Sequence, residues 1–163
     1  VGAFRYRYFR KSMMDDSLSL TGAITLTLRH QDGREEVSEY RNLIVNAGRA
    51  AITNGLIGST TAYPNYLELG TGTTAVAATQ TALVTPSTAT WKGIAAKTLY
   101  STYIASFDTT YVTSEANGTF SEIGIFAGAN ATANSGSLFA RALIAITKTS
   151  SMTLTVNWRI QVA

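Results

Sequence analysis

Gly70-Thr71-Gly72-Thr73-Thr74-Ala75 follows the short β-prone stretch at residues 66–69. Its G-x-G-x-x-A spacing is one form of the dinucleotide-binding fingerprint, in which small residues let a turn approach a pyrophosphate at a helix N-terminus. That chemistry also needs a helix opening on the third small residue and an acidic residue about 20 positions further on, for the ribose. Residues 76–85 are instead rich in Thr, Ala and Val and run into Pro86, and the first carboxylate after Glu68 is Asp108. No Gly-Lys-Ser/Thr follows, so a P-loop is excluded as well. The stretch reads as a strand-to-loop turn, with Gly70 or Gly72 at positive φ or allowing close backbone approach, and no phosphate beside it.

The remaining reactive residues do not converge. His30 is the only histidine and there is no cysteine, so a Cys–His dyad, a disulfide and a thiolate metal site are all excluded. A Ser–His–Asp triad would have to use His30, beside a turn, and no G-x-S-x-G elbow exists. Asp15-Asp16 and Glu35-Glu36 are adjacent pairs, which on a strand point to opposite faces. Neither forms an acid/base couple, and no calcium-loop spacing is present. Asn117 and Asn130 head N-x-T triplets and read as turn residues. The expectation is no catalytic residue, no cofactor and no metal.

Two residues call for a structural account. Glu122 shares parity with Phe120, Gly124 and Phe126, and Arg141 with Phe139 and Leu143. A charge in apolar company requires a partner. If the intervening loop closes a hairpin, the two lie diagonally across it, and a structural ion pair or shared hydrogen-bond network is expected. At the other end of the chain, Phe4, Arg5, Tyr6, Arg7, Tyr8, Phe9, Arg10 and Lys11 interleave aromatic and basic side chains. Such a stretch suits single-stranded nucleic acid or a protein partner that buries aromatic anchors. With a net charge of only +3 on 163 residues, the protein–protein reading is preferred and no nucleic-acid partner is expected.

The elements that would hold these residues are strands. Hydrophobic residues make up 45% and charged residues 14%, so Thr, Ser and Asn must supply the polar surface, which favours β structure. Leu18 to Leu28 alternates with period two, Asp32-Gly33 marks a hairpin turn, and a polar return strand follows. Residues 97–107 alternate as one further strand. Residues 119–128, 138–148 and 152–162 read as three strands, the last with Met152, Leu154, Val156, Trp158, Ile160 and Val162 inward. One buried and one wet face suit antiparallel sheets. The one helix is expected near residues 47–57, with Asn46 as cap, Ala50, Ala51, Ile52 and Leu56 inside, and Gly55 and Gly58 ending it. A helical turn is possible at residues 79–83. The expected fold is an all-β antiparallel sandwich, jelly-roll-like, with an N-terminal arm at 1–17 and a single domain at 18–163. No apolar run approaches the roughly 18 residues of a membrane span, so no membrane partner is expected.

Arg41 to Gly58, the Tyr66–Leu83 stretch, "FSEIGIFAG" and "LFARALIAITKTSSMTLTVNWRI" occur in an order that resembles small virion proteins of tailed bacteriophages. The glycine turn leading to Gln80-Thr81-Ala82-Leu83 is also similar to the attachment head of tail-fibre and tail-collar proteins. The resemblance covers roughly residues 41–160. It implies a non-enzymatic β-rich virion component, assembled in the host bacterial cytoplasm. It also implies a homotrimer that binds the major capsid protein or tail proteins, with no small-molecule ligand. The last strand ends one residue before the end of the sequence, which favours a capsid decoration or cement protein over the head of a long fibre. Tail-fibre, collar or baseplate attachment is the alternative. A glycan-binding adhesin using Trp91, Tyr100 and Tyr103 is the second.

Overall fold

The computed structural model describes residues 19–59 and 63–163. The chain runs β1 (Leu20–His30), β2 (Glu35–Arg41), β3 (Leu43–Ile44), α1 (Asn46–Leu56) and β4 (Pro64–Gly70). A 3₁₀ turn (Thr88–Thr90) precedes β5 (Lys92–Gly93), β6 (Ala96–Ser101), β7 (Ile104–Tyr111), β8 (Gly118–Ala127), β9 (Ser137–Lys148) and β10 (Met152–Val162). The strands form two five-stranded antiparallel sheets, β2-β1-β10-β7-β6 and β3-β9-β8-β4-β5. Packed face to face, they make an all-β sandwich.

The alternation within each strand explains the core. Ile24, Leu26 and Leu28 of β1 and Leu154, Val156, Trp158 and Ile160 of β10 face inward. They meet Leu67, Leu69, Ile123, Ile125, Ala140 and Ala142 of the second sheet. β1 and β10 pair in unbroken register from Leu20↔Val162 to His30↔Met152. A one-residue slip would turn all these side chains to solvent, so the pattern fixes the register. The Asp32-Gly33 turn closes β1 onto β2 with Gly33 at φ +88°.

Three local expectations are corrected. Residues 97–107 are not one strand but the β6–β7 hairpin, turning at Thr102-Tyr103. All of β6 is exposed, including Leu99 at 74%, because it lies at a sheet edge that nothing described covers. Asn46 is the first helical residue; Val45 occupies the cap without a side-chain hydrogen bond. Ala50 and Leu56 are exposed, because the face of α1 that packs on the sheet carries Gly48 and Ala51. A Cβ at position 48 would stand 2.1 Å from the Phe139 carbonyl oxygen on β9, so only glycine permits that approach. Gly58, at φ +82°, follows the helix as expected. Residues 79–83 are not helical; the Gln80 side chain accepts from the Ala77 N–H (2.9 Å) and holds an open turn instead.

The segment between β4 and β5, residues 71–91, crosses the outer face of the second sheet. Leu83 buries itself there against Val45, Phe126 and Leu138. Trp91 stacks on Tyr66 at 5.1 Å and donates its indole N–H to the Asn130 carbonyl (2.9 Å). A connection of this length with so little regular structure is uncommon inside a compact domain, and the polar cluster beneath it is described next.

Candidate functional site

Glu122 projects from β8 toward the covering segment and is fully buried. Its carboxylate accepts four hydrogen bonds. Oε1 takes the N–H of Gly72 (3.0 Å) and Thr85 (2.7 Å). Oε2 takes the N–H of Val84 (3.0 Å) and Nε of Arg141 (2.7 Å). In register Glu122 stands opposite Leu143 and Gly124 opposite Arg141, so the ion pair is diagonal across β8 and β9. Arg141 is equally buried, and its Nη1 donates to the Thr74 carbonyl (3.0 Å) and to Gln80 Oε1 (3.1 Å). The pair therefore stitches both limbs of the covering segment to the sheet.

The glycines now have a physical role, and one expectation about them is corrected. Neither Gly70 nor Gly72 has positive φ. Both are small because the carboxylate needs their space. A Cβ at 70 would lie 2.5 Å from the Thr85 carbonyl oxygen and 2.7 Å from Glu122 Oε1; at 72 it would lie 2.5 Å from the same Oε1. The G-x-G turn does hold an anion with its backbone, but the anion is the protein's own. Burial pushes the Glu122 carboxyl up. The N–H groups of Thr85 and Val84 and the Arg141 guanidinium outweigh it and hold the group below its usual range.

Glu68 shares this face of the sheet and is also fully buried, yet neither of its oxygens has a hydrogen-bond partner. Burial, reinforced by the negative charge of Glu122, raises its pKa to about 7. Nearby, the Tyr111 hydroxyl donates to the Thr90 carbonyl (2.8 Å), and burial pushes that phenol up. Thr90 Oγ1 in turn accepts the Leu69 N–H (2.8 Å). At the far end of β9, buried Lys148 donates to the Glu115 carbonyl (2.7 Å) and to Asn117 Oδ1 (3.0 Å). Burial lowers its pKa. Lys148 thereby organises the connection between β7 and β8, where Glu115 also pairs with Lys92.

His30 sits at the β1–β2 hairpin between Glu36 (2.9 Å) and Arg34 (3.1 Å), within a surface charge cluster. Among the described residues no group of three His, Cys, Asp or Glu side chains could hold a metal. No helix among them is long and apolar enough to cross a membrane. Residues 4–11, the candidate partner-binding stretch, lie outside the described residues. The chain enters the described part at Ser19, whose backbone pairs with Ala163.

One open groove is apolar. With a volume of about 460 Å³, it runs between α1 and the β6–β7 hairpin, lined by Ile52, Tyr63, Leu99, Tyr103 and Val162 among others. Tyr103 is 68% exposed, and Leu56 and Ile57, one turn beyond Ile52, are each 84% exposed. The comparisons add no relative. No family model matches the chain, and neither curated proteins nor solved structures contain a significant match.

Glu68, Lys148 and the groove were missed in the sequence. Glu68 alternates with Leu67 and Leu69 and faces away from the core; what hides it is the segment above. A signal was present in the sequence of β8, where Ile123, Gly124, Ile125, Phe126 and Ala127 are apolar or small on both parities, and the structure buries residues 122–127 without interruption. A strand apolar on both parities is covered on both faces.

Proposed function

We propose that this chain is a non-enzymatic structural protein of a tailed-phage virion, a homotrimeric capsid decoration or cement protein that binds and stabilises the shell. The observation that carries an assembly role is the division of the molecule's surfaces. Its convergent charged cluster is sealed inside, with Glu122 fully satisfied by the protein itself. One accessible feature is apolar: Leu99 and Tyr103 border a groove, and Leu56 and Ile57 at the end of α1 are also exposed. Exposed apolar area of this kind is characteristic of a protein–protein contact. The order of sequence motifs supplies the phage setting, and residues 4–11 supply aromatic anchors for a neighbouring capsid subunit. An extended stretch of about 15 residues reaches roughly 50 Å, enough to cross a subunit boundary. Many copies on one shell would add avidity without tight single contacts.

The test is particle-based. Purified protein is sized by light scattering and then sedimented with phage shells that lack it. The expected result is a trimer that co-sediments with shells and raises their melting temperature. Leu99→Asp with Tyr103→Asp is expected to give monomers. A monomer at tens of micromolar that leaves shells untouched sinks the reading. Binding to tails but not shells moves it to the attachment alternative.

A further inference from the structure

One row of side chains crosses the outer face of the first sheet. It holds Arg41 on β2, Ala23 on β1, Arg159 on β10 and Ser106 on β7. Strands lie about 4.8 Å apart, so the Arg41 and Arg159 backbones stand roughly 10 Å from each other. Both arginines line a single cleft of about 520 Å³. In the next row on one side, Thr21 of β1 stands opposite Gln161 of β10, and both line the cleft too. In the next row on the other side stand Glu39 of β2 and Asp108 of β7.

The donors at this cleft are uncommitted. Neither guanidinium pairs with a carboxylate among the described residues. Asp108 is already engaged by Asn157 and Ser106. The Arg159 guanidinium lies 3.9 Å from the centre of the Tyr100 ring, which fixes it at the cleft wall. Its Nε is buried without a hydrogen-bond partner, and so are both amide atoms of Asn42, which lines the same cleft. Buried polar groups without partners are rare in native folds, and the place of a bound molecule is one cause.

We propose that this cleft binds a hydroxy acid, a ligand with a carboxylate and hydroxyl groups beside it. The arginines take the carboxylate, because each guanidinium is a planar fork of donors that matches its two oxygens. Thr21 and Gln161 lie about 7 Å further along the strands. Each offers both a donor and an acceptor, which suits hydroxyls, since these also give and take hydrogen bonds. Leu20 and Ile104 add apolar wall for the carbon skeleton. A phosphate fits less well. Among the described residues no lysine lines the cleft and no helix begins at it. Glu39 and Asp108, one row away, offset the two positive charges, so the site selects by fork geometry more than by field. The same chemistry is met in a free hydroxy acid and in an acidic sugar of a glycan, and the volume holds either. The resemblance to virion proteins implies no such ligand; the proposal rests on the cleft alone.

The full-length protein, isotopically labelled, is titrated at low salt with gluconate, galacturonate and trigalacturonate while backbone amide shifts are followed. Galactose and inorganic phosphate are the controls. Saturable shifts at residues 20–23, 41–42, 100–104 and 159–161 are expected with the acids and none with galactose. Tighter binding of trigalacturonate than of both monomers assigns the glycan as source; otherwise the source is the free acid. Arg41→Gln and Arg159→Gln should each weaken binding about tenfold or more, the size expected for lost charge-assisted hydrogen bonds. Arg49→Gln, on α1, should leave it unchanged. Ala23→Glu, at an exposed position between the two arginines, supplies a resident carboxylate and should abolish binding, which keeps the test valid if the arginine variants misfold. Four results overturn the proposal: no shifts with any acid at tens of millimolar, retained affinity in folded arginine or Ala23→Glu variants, an equal loss in Arg49→Gln, or phosphate bound as tightly as the acids. Since no shell is present, this outcome is separate from that of the virion reading.

Discussion

Glu68 and Arg141 flank Gly124 in one row across β4, β8 and β9, on the same face of the sheet, and form no ion pair. Arg141 turns to Glu122 instead, and Leu83 fills the space over Gly124, where a Cβ would lie 2.8 Å from its Cδ2. The result is one satisfied carboxylate and one orphaned carboxylate under the same cover. They make opposite predictions about pH.

Glu68 has a raised pKa, about 7 against 4.5 for an unperturbed glutamate. The folded protein therefore holds a proton that the unfolded chain releases, and stability falls as pH rises from about 4.5 to 7. The full loss is on the order of 3 kcal/mol. Glu68→Gln should flatten that slope. Urea midpoints measured across this range for both proteins check it, and a parallel slope in the variant contradicts it.

Glu122 works the other way. Its lowered pKa means that its contribution is fully present above about 4.5 and is lost as pH falls through the folded-state value. With Glu68, this places the stability maximum of the pair near pH 4.5. Arg141→Met leaves a buried carboxylate without its cation and should cost about 3–5 kcal/mol. Thermal unfolding of this variant is the measurement.

Gly72→Ala and Gly70→Ala place a methyl against Glu122 Oε1, and at position 70 also against a backbone oxygen. Each is expected to destabilise by about 1–3 kcal/mol through overpacking. Because φ is not positive at either site, the cost comes from crowding: the carboxylate at both, with Val84 Cβ (2.7 Å) at 72 and the Thr85 carbonyl oxygen (2.5 Å) at 70. Glu122→Ala should therefore relieve part of it at each position, more at 72, where the remaining neighbour is a side chain, than at 70, where it is backbone. A double-mutant cycle with additive costs would refute this assignment.

Lys148→Met removes the donor that gathers the Glu115 carbonyl and Asn117 Oδ1. Stranding those acceptors should cost about 1–3 kcal/mol. Amide exchange should accelerate over residues 112–117 before it does so in β1 or β10. Uniform acceleration across the sandwich would show that the lysine serves the whole core instead.

Much of this molecule was written in its alternation. The β1, β8, β9 and β10 strands and the Asp32-Gly33 hairpin follow from side chains that must share a face. So did the need of Glu122 for a partner, since a charge among Phe120, Gly124 and Phe126 has few other outcomes. Local pattern could not say that Leu99 and Tyr103 would be exposed, because exposure at β6 depends on having no further strand beside it. Nor could it say that Glu68 would be buried. Its parity placed it outward correctly, but whether an outer face meets water depends on what crosses it. Residues 71–91 have no period of their own, and their path is set by distant contacts: Leu83 on Phe126, Trp91 on Tyr66, and backbone N–H groups on Glu122. The sequence by itself determined which faces are apolar and where the anion-sized gap in the glycine turn lies. Only tertiary packing decided that the gap is filled from within, because the carboxylate comes from a strand fifty residues away and reaches the turn only once the sheet has formed.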